Sequence, residues 1–180
     1  VFEALHVATG KTVALKLVSL PVVDREETLR EMFREVSLWS RLDHPNIVRF
    51  HDSGIQQGTL YVSMELLAGG DLLRRIRNEL KRPMTSPEAL EVAIPIADAL
   101  AHIHRKGLVH RDVKPENILI DHSGDRRVPK LSDFGLMKSY LEAGMSFMTQ
   151  QLWIKGTPGF MAPEQWTDTR YVRPPADVYS

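Results

Sequence analysis

Residues 110–117 concentrate chemistry in one short run, His110-Arg111-Asp112-Val113-Lys114-Pro115-Glu116-Asn117. A second acid stands at Asp133-Phe134-Gly135, a third motif at Ala162-Pro163-Glu164, and a lysine lies in the apolar stretch Val13-Ala14-Leu15-Lys16. Carboxylates, ammonium groups and a carboxamide are the side chains from which proton transfer, anion neutralisation and oxygen ligation of hard cations are built. Other chemistries are closed to the chain. With no cysteine, disulfides, thiolate zinc sites and cysteine nucleophiles are excluded. The seven histidines form no metal-ligand cluster. His102 and His104 are two apart on an expected helix and diverge, which makes both structural or surface residues.

The elements that must position these groups follow from the hydrophobic pattern. Val1 to Val7 and Thr12 to Val18 read as strands around a turn at Thr9-Gly10-Lys11. From Asp24 to Leu42, Leu29, Met32, Phe33, Val36, Trp39 and Leu42 recur at helical spacing, with Asp24 as N-cap. Strands are expected at about Ile47 to Ser53 and Thr59 to Glu65, with Gly54 and Gly58 at the turn between them. Beyond Gly69-Gly70, helices are expected near Asp71 to Leu80 and from Pro87 to about Arg105. Ser86 is the expected N-cap of the latter, and Pro95 should kink it. Strands with one helix, then mostly helices, imply a small α+β lobe joined to a helical lobe near Glu65 to Gly70. Ligands favour clefts between lobes.

The order Lys16, a helix glutamate, His-Arg-Asp, Asp-Phe-Gly and Ala-Pro-Glu resembles the protein kinase family over the whole chain. The resemblance implies an α+β, two-lobed kinase-like fold with both lobes incomplete: 1–67 as small lobe and hinge, 68–180 as large lobe. It implies ATP and Mg²⁺, with Mn²⁺ as an alternative ion, and protein substrates bearing serine or threonine. Phosphoryl transfer asks a protein mainly for positioning and for neutralisation of charge on triphosphate oxygens. On the family's pattern, Lys16 would reach the α- and β-phosphates and Glu35 would hold it, with Glu31 as the rival one turn earlier. Asp112 would be the base that accepts the substrate hydroxyl proton, and Lys114 would stabilise the transferring group. Asn117 and Asp133 would ligate the metal. A lysine at 114 resembles serine/threonine rather than tyrosine kinases.

The resemblance also assigns a nucleotide slot. Met64 matches the gatekeeper, and Glu65, Leu66 and Leu67 the hinge, where backbone groups of Glu65 and Leu67 would pair with adenine. Val1, Ala14 and Leu119 would sandwich the ring, and Asp71 would reach the ribose. Trp39, Phe50, His110 and Phe134 align with the family's packed column between the lobes, a tryptophan being unusual at the first place. The activation segment from Asp133 to Glu164 holds Ser146, Thr149 and Thr157. Arg111 would answer to a phosphate there. Thr149 is the expected activating site, Ser146 the runner-up, and Thr157 a contact of Asp112 and Lys114.

The bulk properties fit this reading. The chain has 180 residues, 43% apolar and 26% charged, and its 23 basic residues balance 23 acidic ones. That balance offers nothing for nucleic acid or an anionic membrane. No apolar run approaches the roughly 20 residues of a membrane helix, and the lack of cysteine is compatible with a reducing compartment, so a cytoplasmic domain is expected. The family's glycine-rich loop would end just before Val1. Asp177-Val178-Tyr179-Ser180 resembles the start of the long central helix of the large lobe, where Asp177 would brace the backbone around His110-Arg111. A fragment cut there is expected to be poorly soluble or inactive, with an apolar face left open. A pseudokinase scaffold is the alternative function, although Lys16, Asp112 and Asp133 are all retained. A small-molecule kinase fits less well, because Lys114, Gly156-Thr157-Pro158 and Ala162-Pro163-Glu164 resemble protein-substrate machinery. The stretch 156–165 leans towards bacterial serine/threonine kinases.

Overall fold

Alternation along β2 (Lys11–Ser19) sends Ala14, Lys16 and Val18 to one face, opposite Met64, Val62 and Leu60 of β4 (Thr59–Glu65). Leu60, Val62 and Met64 are buried there, so Lys16 rides on the face that makes the core. The computed structural model describes residues 1–7, 9–19, 30, 33, 34, 36–122, 124, 126–133, 158–166 and 172–180. With β1 (Phe2–His6) and β3 (Phe50–Gln56), these strands form an antiparallel sheet in the order β1-β2-β4-β3. Gly54 sits inside β3 opposite Tyr61, not in the turn. A Cβ at Gly54 would lie 2.7 Å from the Tyr61 hydroxyl and 2.8 Å from its ring. The turn is made by Gln57 and Gly58, both at positive φ, the conformation that suits a tight hairpin.

Among the described residues of the expected first helix, 30, 33, 34 and 36–39 are helical. Val36 and Trp39 are buried. The Trp39 ring packs edge-on against Phe50 at 5.6 Å, and its indole N–H donates to the Val48 carbonyl at 3.2 Å. An aromatic pair with its polar handle satisfied suits a buried joint.

The rest is mainly helical. A short α1 (Leu72–Arg74) opens on Asp71, whose carboxylate caps the Arg74 amide at 2.8 Å, and passes into a π-helical turn at Arg75–Leu80. Helix α2 (Ser86–Arg105) runs through Pro95 and buries Val92, Ile96, Ala99, Leu100 and Ile103. Its N-cap is Thr85, not Ser86. The reason is the spacing Thr85-x-x-Glu88: the Glu88 carboxylate accepts from the Thr85 amide at 2.8 Å and its hydroxyl at 2.9 Å, which a cap at Ser86 facing Ala89 could not match. Arg82 adds a bidentate pair, and with the Thr85 bonds it lowers the Glu88 carboxyl to a pKa of about 2.

Strands β5 (Ile118–Asp121) and β6 (Val128–Leu131) form a hairpin beneath the sheet. It is tied to the small lobe by Val48 N–H to Leu131 O at 2.9 Å, Leu131 N–H to Asn46 O at 2.8 Å and Asn46 Nδ2 to Pro129 O at 2.9 Å. Helix α3 (Pro175–Tyr179) follows two 3₁₀ turns, Pro158–Phe160 and Pro163–Trp166. The architecture is α+β and two-lobed. Among the described residues no helix is long and apolar enough to cross a membrane.

Candidate active site

The charged groups singled out above meet where β2, the 110–117 loop and the end of β6 converge. Lys16 Nζ lies 2.6 Å from Asp133 Oδ1. Lys114 Nζ lies 2.8 Å from Asp112 Oδ2. Asn117 Nδ2 donates to the Asp112 carbonyl at 2.7 Å and to its Oδ2 at 2.8 Å. The two pairs are stitched together by Ser132, whose amide donates to the Asn117 carbonyl at 2.9 Å. All four ionised groups are only partly exposed, so each attraction is stronger than it would be in open water.

His110 is fully buried and joins the same structure. Its Nε2 donates to the Ser132 carbonyl at 2.8 Å, and its Nδ1 accepts from the Asp112 amide at 3.3 Å. One ring nitrogen donating and one accepting is the pattern of a neutral imidazole. Burial accordingly holds its pKa below the usual value, against the pull of Asp177. His110 thus sets the spacing between the Asp112 loop and the Asp133 turn.

Asp177 lies beneath, 3% exposed. Its Oδ1 accepts from the Arg111 amide at 2.7 Å, and its Oδ2 accepts from the His110 amide and His104 Nε2, both at 2.8 Å. It braces the backbone as expected, and His104 joins it. Arg111 and Asp133 both have left-handed backbones, with φ of 66° and 57°. Non-glycine residues of this kind cost about 1–3 kcal/mol each and persist where surrounding contacts fix them.

Some of the residues expected around a nucleotide lie together. Ala14 and Met64 are buried cross-strand partners, and Leu119 packs against the same core. Leu119 also forms an antiparallel backbone bridge with Asp71, the expected ribose contact, and one Asp71 oxygen is spent on the helix cap. Leu67 packs on the core, and among the described residues its amide and carbonyl make no hydrogen bond to other backbone groups. Val1 is 74% exposed and lies apart from any buried cluster. Glu35, Ser146, Thr149, Thr157, Phe134 and Gly135 lie outside the described residues.

These residues fit magnesium-ATP by donor chemistry. After its two donated bonds, Asn117 keeps a carbonyl oxygen, and Asp133 keeps a second carboxylate oxygen beside the Lys16 ammonium. Among the described residues no three His, Asp or Glu side chains converge as a metal cage. Magnesium needs no such cage: one or two carboxylates suffice when phosphates supply other ligands.

Contacts at Glu65 and Arg111 and a close approach at Gly69 were not foreseen. Lys130 Nζ donates to both Glu65 oxygens at 2.9 Å and approaches Asp121 at 3.4 Å, while Glu65 also accepts from the Arg49 amide at 2.7 Å. The hinge glutamate is therefore anchored by its side chain to β6. Gly69 is pinned as well, since a Cβ there would lie 2.2 Å from the Ile120 carbonyl. Gln165 reaches the Arg111 carbonyl at 2.8 Å. Lys130 lies on the less buried face of β6, opposite the buried Pro129 and Leu131, and its partner is 65 residues away in sequence.

The family described as protein kinase domain matches residues 1–180, and the chain belongs to it. It is 33% identical over its whole length to CBL-interacting protein kinase 30 of Oryza sativa, covering 36% of that protein. It is 36% identical over 170 residues to serine/threonine-protein kinase PkaA of Streptomyces coelicolor, covering 94% of this chain and 30% of the relative. The chain therefore spans about a third of the length of these relatives. The PknI kinase domain of Mycobacterium tuberculosis superposes with a TM-score of 0.74 at 27% identity, over 97% of this chain and 62% of that one.

Proposed function

We propose that this chain is the catalytic core of an ATP-dependent serine/threonine protein kinase, with residues 1–67 as small lobe and hinge and 68–180 as large lobe. One observation carries the reading: the Lys16–Asp133 and Lys114–Asp112–Asn117 groups form one connected polar cluster, joined through the Ser132 amide and the Asn117 carbonyl. Asp112 holds the proton leaving the attacking serine or threonine hydroxyl, and its bond to Asn117 keeps the carboxylate aimed. Lys114 offsets charge on the group in transit, and Lys16 orients the anionic end of the nucleotide. Asp133 and the Asn117 carbonyl oxygen would hold Mg²⁺ or Mn²⁺, which when bound supplies positive charge to the phosphates. Ala14, Met64 and Leu119 would enclose the base, with Val1 above it, and backbone groups of Glu65 and Leu67 would pair with its edge, while Asp71 reaches the ribose. Glu35 would release Asp133 from Lys16 by taking over the ammonium. Thr149, or Ser146 in its stead, would carry an activating phosphate answered by Arg111, with Thr157 beside Asp112 and Lys114.

The test is transfer of the γ-phosphate from magnesium-ATP by the full-length protein, to itself and to a generic protein substrate. Phosphoserine or phosphothreonine in the product is expected. ATP binding without transfer would replace this reading by the pseudokinase one.

A further inference from the structure

The backbone at Arg111 is held from three directions. Its amide donates to Asp177 Oδ1 at 2.7 Å, and its carbonyl accepts from Gln165 Nε2 at 2.8 Å. The amide of the same peptide plane, that of Asp112, donates to His110 Nδ1 at 3.3 Å. Asp177 and His110 belong to the scaffold under the site. Gln165 does not: it lies in the 3₁₀ turn Pro163–Trp166, 54 residues from Arg111 in sequence. It is 6% exposed, and its other amide atom, Oε1, accepts from the Ala162 amide at 3.0 Å. Both ends of a buried carboxamide are thus spent on backbone, one within its own turn and one in the loop of the candidate base.

We propose that Gln165 is a positioning residue: by holding the Arg111 carbonyl it fixes the peptide plane from which Asp112 projects, and so makes the base depend on the fold of residues 158–166. The inference rests on the kinase reading above. Arg111 is left-handed, with φ of 66°, so its backbone stays put only while its contacts hold. Loss of the carbonyl contact lets the 111–112 plane turn and swings the Asp112 side chain away from the hydroxyl it serves. Misplacement of a reacting group by about 1 Å can cost on the order of 10²-fold in rate. The site demands glutamine's particular chemistry, a donor at one end and an acceptor at the other. Ionised glutamate keeps the acceptor for Ala162 and loses the donor. Protonated glutamate regains a donor, and methionine offers neither.

That difference supplies the test, in the full-length protein. Turnover of wild type, Gln165→Glu and Gln165→Met is measured from about pH 5.5 to 8 at saturating magnesium-ATP, with the KM for ATP at each pH. At pH 8, Gln165→Glu should lose about 10–100-fold in kcat with little change in KM. Its deficit should narrow as pH falls, because burial raises a carboxyl pKa and the protonated acid can donate to Arg111. Gln165→Met should be impaired by a constant factor. The ionisable groups on the joined segments, His104, His110, Arg111, Asp112, Glu164 and Asp177, are common to all three proteins and cancel in the ratio. A Glu variant equal to wild type at pH 8, or a deficit as flat with pH as that of Met, overturns the proposal. Hydrogen exchange at the Arg111 and Asp112 amides gives a readout independent of activity. Faster exchange in Gln165→Glu than in wild type at pH 8 supports the clamp even if wild type transfers no phosphate, and unchanged protection refutes it.

Discussion

Replacing Asp177 by alanine removes the acceptor of two backbone amides, one buried and one partly buried, at one stroke. The His110 and Arg111 N–H groups, now 2.8 and 2.7 Å from its carboxylate, would be left without a partner. An orphaned buried donor costs about 1–3 kcal/mol, so two cost about 2–6 kcal/mol. A water in the vacated space would recover part of this, which leaves about 3 kcal/mol. For a domain of this size 1 kcal/mol is worth roughly 2–4 °C, so the kinase-domain transition should fall by about 6–12 °C. Asp177→Asn keeps one carbonyl acceptor and should lose about half as much. Urea unfolding of the full-length protein, followed by a probe confined to this domain, measures both. An alanine variant within about 0.5 kcal/mol of wild type would refute the reasoning that Asp177 holds the catalytic loop.

Other outcomes follow from the same geometry. Burial holds the His110 imidazole below its ordinary pKa, and it does the same to His102. The unfolded chain therefore binds these protons more readily than the native one, so their contribution to stability is complete above about pH 6.5 and lost as pH falls below it. The urea midpoint should drop between pH 7.5 and 5.5, and a rise over that interval would contradict the assignment of a neutral, buried His110. Lys130→Met should destabilise by about 1–2 kcal/mol, as charge-assisted bonds at a site with some solvent screening are lost and the Glu65 and Asp121 carboxylates are left facing each other. Adding Glu65→Gln should restore part of that loss in a double-mutant cycle. Gly69→Ala would press a methyl to 2.2 Å from the Ile120 carbonyl, so a cost of about 1–3 kcal/mol is expected, read as a lower melting temperature. Equal melting would show that the hinge yields easily.

The parts legible in the sequence were those whose partners are near in the chain or whose pattern is periodic. The strands around Lys16 and Met64 and the long helix ending near Arg105 were expected close to where β2, β4 and α2 lie. The 110–117 run carried the Asp112, Lys114 and Asn117 contacts within itself. Local errors came from competition between neighbours: Thr85 outdoes Ser86 as a cap because only Thr85 has a glutamate three residues on. Gly54 read as a turn residue because nothing local reveals that the Tyr61 ring lies over it. The anchoring of Glu65 by Lys130 and of Arg111 by Gln165 was invisible for a different reason. Each joins residues more than 50 positions apart, and the side chains involved are ordinary polar residues until the fold brings them together.

Asp112 is proposed as the proton acceptor of the phosphoryl transfer. Asp112→Asn tests it most directly, since the amide preserves size and can still face Asn117 and Lys114 while losing the ability to take a proton. Single-turnover transfer from magnesium-ATP to a serine or threonine substrate should fall by about 10²–10⁴-fold with ATP affinity nearly unchanged. Transfer at the wild-type rate in Asp112→Asn would contradict the account.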